Sequence, residues 1–278
     1  MATSLSPELH QKLSETARAL RMLSLQMITE AQSGHPGGSL SAADLVTVLF
    51  FHYMTHNPHE PHWPERDRFV LSKGHGVPVV YAALAKCGYF PEEELMTLRK
   101  INSRLQGHPD HVRLPFMETS SGSLGQGLSI AQGMAMAAKL DQKKYKTYCL
   151  LGDGETQEGQ IWEAAMSAPK YQLDNLIAIL DFNKGQIDGY TEDVMNLSPL
   201  KAKWEAFNWE VQEIDGHDLH QIFAALNHAQ ISRKKPHMII AHTIKGKGVS
   251  FMEDNIDWHG KSPSLKERDQ AIEELRRH

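Results

Sequence analysis

The sequence predicts an α/β fold: a doubly wound, mostly parallel sheet with helices on both faces. Three observations carry this reading. Strand-length apolar runs at 148–151, 176–180 and 237–241 alternate with stretches of helical periodicity. Loops rich in glycine and histidine fall mostly where a strand passes into a helix, which is where such sheets bind ligands. The 278 residues are enough for one large domain with a substantial core. A single domain over 1–278 is expected, with 265–278 a terminal helix or tail.

The elements follow in order. Ser6-Pro7-Glu8 opens a helix, with a capping hydroxyl and then a proline where no amide hydrogen is needed. Leu13, Ala17, Leu20, Leu23, Met27 and Ala31 recur at helical spacing. The segment 33–38, Ser-Gly-His-Pro-Gly-Gly, is expected to stop that helix. Ser41 with Asp44 predicts a new cap, and 45–54 a buried helix. The run 69–72 is a short strand, followed by Lys73-Gly74-His75-Gly76 and a helix to Cys87. A short amphipathic helix is expected over 92–100. The loops Gly107-His108-Pro109 and 120–127 precede the small residues of 130–138, which suit a helix packed on a sheet. Beyond the central strands, 209–214 reads as a strand, 218–231 as a helix and 237–241 as a strand.

Composition excludes several classes. The net charge of −5 argues against nucleic acid or an anionic membrane as partner. No run approaches the roughly 18 apolar residues of a membrane span. No secretory pattern marks the N-terminus, so a cytoplasmic location is expected. Cys87 and Cys149 sit in apolar surroundings and read as buried thiols rather than a disulfide. His56, His59 and His62 lie in a loop broken by Pro58, Pro61 and Pro64, where a solvated loop is favoured over a metal site.

The most informative stretch is Gly152-Asp153-Gly154-Glu155 followed by Asp181-Phe182-Asn183-Lys184-Gly185. Each half follows a predicted strand. A carboxylate and a carboxamide therefore stand at the ends of neighbouring strands. Magnesium takes oxygen ligands and usually shares them with substrate phosphates. Asp153, the Asn183 amide oxygen and the Gly185 carbonyl supply three, leaving room for two diphosphate oxygens and a water. The helix expected over 157–168 points its N-terminus toward that anion. Alone, Gly-Asp-Gly reads more readily as an ordinary turn; the paired Asn183 across a strand–turn–helix–strand favours the clamp. No Gly-x-Gly-x-x-Gly opens a βαβ unit, which disfavours a nicotinamide cofactor.

These residues resemble the thiamine diphosphate motif, with Phe182-Asn183 in place of the usual Asn-Asn. The motifs around them resemble the transketolase family. They are Ser33-Gly-His-Pro-Gly37, Asp67-Arg-Phe-Val-Leu-Ser-Lys-Gly-His75, Gly107-His-Pro109, Ser121-Gly-Ser-Leu-Gly-Gln-Gly127, Gly152-Asp-Gly-Glu-Thr-Gln-Glu-Gly159 and His259-Gly260. They cover almost the whole chain in the family's order. The resemblance implies that Asp153, Asn183 and the Gly185 carbonyl hold Mg2+, with Ca2+ or Mn2+ as substitutes. It implies that Gly154, Asn183, His75 and His259 serve the cofactor site, Gly154 and His75 at the diphosphate. Gly122, Ser123 and Leu124 would line the cofactor, and Ile187 would lie under the thiazolium. His35, His75, His108, Glu158 and His259 are the catalytic candidates. His35, His108 and His259 would bind sugar hydroxyls and assist proton transfer, and Glu158 would lie between paired active sites. Read from the residues alone, Leu124 and Ile187 equally suit core positions. Glu158, without the resemblance, reads as a first-turn helix carboxylate stabilised by the helix dipole.

In the family, the glutamate that activates the aminopyrimidine lies in a second α/β domain contributed across a dimer interface, and the arginines that bind the donor phosphate also lie further along the chain. The 278 residues do not extend that far, so the chain is expected to be the N-terminal, diphosphate-binding subunit of a split transketolase. The implied partner is a C-terminal transketolase subunit with the pyrimidine-binding domain, in an α2β2 heterotetramer acting on sugar phosphates. Three other readings stay open. One is an E1 α-type subunit of a 2-oxo acid dehydrogenase, and one a piece of a deoxyxylulose-phosphate synthase-like enzyme. The last is a catalytically silent thiamine diphosphate-binding protein.

Overall fold

The structure, a computed structural model, describes residues 4–231 and 234–277. Helix α1 (Pro7–Ala31) opens as its sequence dictates: Ser6 Oγ accepts from the Leu9 amide at 3.2 Å. Leu13, Ala17, Leu20 and Met27 are buried along its inner face. The chain turns at Gln32, with φ 51°, but helix resumes sooner than expected, at α2 (Pro36–Ser41). Pro36 at the first position favours that restart, since it needs no amide partner. Helix α3 (Ala43–Val48) follows and widens into a π-helical turn, Leu49–Tyr53. Ser41 is therefore not an N-cap. Its hydroxyl donates instead to Asp181 Oδ2 at 2.7 Å, across 140 residues.

Strand β1 (Arg68–Leu71) leads through a 3-10 turn at Gly74–Gly76 into α4 (Val77–Lys86). The segment expected to be an amphipathic α-helix is a 3-10 helix over Glu92–Thr97, within which only Leu95 is buried. Leu95 and Leu98 both enter the core, and their i, i+3 spacing suits the three-residue turn of a 3-10 helix. Helix α5 (Gln126–Leu140), β2 (Thr147–Gly152), α6 (Gly159–Lys170) and β3 (Leu176–Phe182) follow. Next comes a small hairpin, β4 (Gly185–Gln186) and β5 (Gly189–Tyr190), with short helices α7 (Thr191–Val194) and α8 (Leu200–Ala206). The chain continues through β6 (Glu210–Asp215), α9 (Leu219–Ile231), β7 (His237–His242) and α10 (Leu265–Arg277).

The five long strands form one parallel sheet in the order β1-β2-β3-β7-β6. Strand β3 is buried on both faces, as its unbroken apolar run demands. Ile177 and Ile179 face the layer of α1, α3, α4 and α9, and Leu176, Ala178 and Leu180 face α5, α6 and α8. Helices thus cover both faces. Helix α10 returns to the body, burying Ala271, Ile272 and Leu275, with Ala271 and Leu275 in a cluster that includes Leu25, Leu40 and Trp258. The final position, His278, lies outside the described residues. Cys87 and Cys149 are free, half-buried and buried respectively, and burial raises both thiols. No helix among the described residues is long and apolar enough to cross a membrane. Because all five strands run the same way, their carboxyl ends share one edge of the sheet.

Candidate active site

Register places the two halves of the central motif side by side. Gly152 of β2 pairs with Asp181 of β3, so Asp153 and Asn183 leave adjacent strands at one level. Asp153 is buried, and its carboxylate accepts from the Gly154 amide (2.8 Å) and the Lys184 amide (2.5 Å). Asn183 is buried too. Its Nδ2 donates to Asp181 Oδ2 at 3.1 Å, which fixes the amide so that Oδ1 turns toward Gly185. The Gly185 carbonyl and Asn183 Oδ1 both accept from the ammonium of Lys245, at 3.0 and 3.4 Å.

The charges here are tightly disposed. Burial, with the neighbouring Asp181 carboxylate, pushes Asp153 up to about 6. Burial brings Lys245 down to about 8, against the opposing pull of Asp153. At Asp181 burial acts upward, but the Lys73 ammonium and hydrogen bonds from Lys73, Thr243 and Ser41 outweigh it and hold the carboxyl below its usual range. Lys73 also donates to the Gly38 carbonyl at 2.9 Å. Glu155 accepts from Ser72 Oγ, the Gly125 amide and the Gly152 amide, tying the end of β1 and the start of α5 to β2.

Against this polar floor stand four imidazoles. The His35 ring lies 5.1 Å from His75, 6.4 Å from His108 and 5.6 Å from His259, centroid to centroid. His75 and His259 are 5.2 Å apart. All four are half-buried. Burial lowers His35 to about 4 and His259 to about 3, helped by nearby cations, and depresses His75 and His108 as well. At neutral pH the rings are uncharged. The Nδ1 atoms of His35 and His259 are buried and, among the described residues, have no hydrogen-bond partner. A buried polar atom left unpaired is costly, so such a pair points to a ligand that completes it.

The loop before α5 closes one side. A Cβ on Gly122, with φ +147°, would stand 3.3 Å from the His108 ring. Gly125, with φ +85°, approaches so near α6 that a Cβ would lie 2.7 Å from that of Glu158. Ser123 is exposed and Leu124 half-buried. Ile187, at the tip of the β4–β5 hairpin, is 71% exposed. Neither Leu124 nor Ile187 is a core residue. Glu158 is exposed at the start of α6 and makes no capping bond, outside the ring cluster. The structure thus unites Asp153, Gly154, Asn183 and Gly185 with His35, His75, His108 and His259, with Gly122 against His108, and leaves Glu158 and Ile187 on the surface.

Lys73, Asp181 and Lys245 are buried charges to which the sequence alone assigns no role. A buried lysine beside two carboxylates becomes informative only once the strands are in register. The hard oxygen set of Asp153, Asn183 and Gly185 fits a magnesium-like ion. The unpaired imidazole nitrogens fit a polar ligand beside it. Among the described residues no group of three or more His, Cys, Asp or Glu forms a metal site, including His56, His59 and His62.

Comparison with known proteins points the same way. Residues 12–278 match the family model described as the thiamine diphosphate binding domain of transketolase. The chain is 48% identical over 263 residues to the 6-deoxy-6-sulfo-D-fructose transketolase subunit of Clostridium sp., covering 95% of this chain and 96% of that one. It is 44% identical over 251 residues to an apulose-4-phosphate transketolase subunit of Phocaeicola vulgatus, covering 90% and 89%. With the transketolase of Homo sapiens it shares 45% identity over 268 residues, which is 95% of this chain but 42% of the human protein. The crystal structure of transketolase from Campylobacter jejuni superposes with a TM-score of 0.90 at 39% identity, covering 95% of this chain and 43% of that one.

Proposed function

The chain belongs to the transketolase family, and on that premise we propose that it is the diphosphate- and metal-holding subunit of a split transketolase. The enzyme moves a two-carbon ketol unit from a ketose phosphate to an aldose phosphate. One observation above all supports this: Asp153 and Asn183 leave adjacent parallel strands beside four neutral imidazoles, two of which carry unpaired buried nitrogens.

In this reading Asp153, Asn183 and the Gly185 carbonyl hold Mg2+, and Gly154 and His75 receive the diphosphate. Lys245 adds a positive charge at the same place. Gly122, Ser123 and Leu124 line the cofactor, and Ile187 meets its apolar underside. Bound thiamine diphosphate supplies the electron sink that lets the ketose carbon–carbon bond break. His35, His108 and His259, neutral at pH 7, accept hydrogen bonds from sugar hydroxyls and take up and return their protons. Glu158 serves at the contact between paired active sites.

The relatives matched over nearly their whole length carry the word subunit in their names, which supports a partner for this chain. That partner is a C-terminal subunit bearing the pyrimidine site, in an α2β2 assembly in the cytoplasm. The relatives' named substrates, a sulfonated sugar and a sugar phosphate, support an anionic ketose. The test is ketol transfer by the purified chain alone and with its partner. Turnover is expected only from the mixture. Substantial turnover by the chain alone contradicts the split arrangement, and decarboxylation of a 2-oxo acid in place of ketol transfer favours the dehydrogenase reading.

A further inference from the structure

The carboxylate of Asp44 is buried and serves no helix cap. Arg21 of α1 grips it through Nη1 and Nη2, at 3.2 and 2.5 Å. His217, just beyond the end of β6, stands on its other side. The Ile244 amide donates to His217 Nε2 at 2.8 Å, and an amide has no other role, so Nε2 is bare. The ring proton is therefore on Nδ1, which donates to Asp44 Oδ2 at 2.7 Å. Gly216 lets this turn press on the end of β7: a Cβ there would stand 2.5 Å from Thr243 Cγ2. Its amide donates to the His242 carbonyl at 2.8 Å.

The segment 243–245 that receives this imidazole is also the one that reaches the metal oxygens. The Thr243 hydroxyl donates to Asp181. The Lys245 stem passes between Gly37 and Gly185, where a Cβ on either would stand 2.9 Å from it. Its ammonium ends on Asn183 Oδ1 and the Gly185 carbonyl. A side chain wedged that tightly follows its own backbone. Among the described residues, His217 is the one side chain bonded to the backbone of 243–245.

We infer that His217 is a positioning residue for the metal and diphosphate site. Asp44 fixes its tautomer, and its Nε2 sets the backbone from which Lys245 reaches the oxygens assigned to Mg2+. The inference rests on the transketolase reading and deepens it. The imidazole acts only through the Ile244 amide.

Two variants separate that role from packing. His217→Asn keeps a donor for Asp44 but does not reach the Ile244 amide, whereas His217→Gln places an oxygen near the Nε2 position. Calorimetry on the complex of this chain with its partner reads the effect. His217→Asn is expected to raise the dissociation constant of thiamine diphosphate with Mg2+ about tenfold, the scale of one lost hydrogen bond, and His217→Gln to recover most of that loss. In a Lys245→Met background, His217→Asn is expected to add less than about twofold, because two residues on one path do not add. Three results overturn the inference: a constant within about twofold of wild type for His217→Asn, equal weakening by His217→Asn and His217→Gln, or a full further loss beside Lys245→Met.

If the wild-type complex binds no thiamine diphosphate, the transketolase reading fails, and NMR of the full chain still decides on His217. The ring nitrogen resonances at about pH 8 are expected to show a proton on Nδ1 and a bare Nε2. His217→Asn is expected to move the Lys245 Cε resonances, and His217→Gln to leave them in place. A proton on Nε2, or Lys245 resonances unmoved by His217→Asn, contradicts the inference.

Discussion

The Lys73 ammonium and the Asp181 carboxylate form an ion pair with both side chains essentially sealed from solvent, 1% and 0% exposed. Asp181 also takes hydrogen bonds from Ser41, Thr243 and the Asn183 amide. One buried carboxylate therefore joins the ends of β1, β3 and β7 to α2 and sets which way the Asn183 oxygen points.

Removing that carboxylate strands a buried ammonium. Asp181→Ala is expected to lower unfolding stability by about 3–5 kcal/mol. Urea denaturation of the two proteins measures it. A loss below about 1 kcal/mol would mean that water or another group neutralises Lys73.

The ring cluster is expected to stay uncharged across the physiological range. Burial, with the cations around the cluster, holds His35 near 4 and His259 near 3. Their imidazole resonances, followed by NMR, should therefore not titrate between pH 8 and about 5.5. Midpoints near the ordinary value of about 6.5 for either ring would remove the basis for its role as a neutral acceptor.

At the opposite end of the sheet, His237 opens β7 with both ring nitrogens buried and, among the described residues, unpartnered. Burial lowers its pKa from 6.5 to about 4. The unfolded chain then binds a proton that the folded chain refuses, so stability is intact above about pH 6.5 and falls as the pH drops toward 4. The loss is at most about 3 kcal/mol. His237→Leu should flatten the dependence of Tm on pH over that window. An equal acid slope in both proteins would assign it to other groups.

Strands β2 and β3 are legible in the sequence because both are unbroken apolar runs ending in polar residues, and parallel pairing then leaves Asp153 and Asn183 little freedom. The cap at Ser6 is equally readable, being a local interaction. Ser41 misleads for the opposite reason: its hydroxyl is used by Asp181, 140 residues away, and no local pattern encodes that. Lys73, Asp181 and Lys245 carry no local signature either, since a buried charge is meaningful only beside the partner the fold brings to it. The 92–100 segment shows a third limit: its acidic first turn and apolar spacing suit α-helix, but Leu95 and Leu98, three residues apart, both enter the core on a 3-10 turn that ends at Thr97. Glu158 is exposed at the start of α6, as its reading as a first-turn carboxylate allows, whereas nothing in the period or composition marks Ile187 as a surface residue.

The central claim is that Asp153, Asn183 and the Gly185 carbonyl clamp a metal against thiamine diphosphate. Calorimetric titration of the cofactor into the chain with its partner, with Mg2+ and with a chelator, tests it most directly. Tight binding is expected only with Mg2+, and Asp153→Ala should weaken it about a hundredfold or more, about 3 kcal/mol, with an unchanged circular dichroism spectrum. Equal affinity in wild type and Asp153→Ala, or binding indifferent to the chelator, would contradict the account.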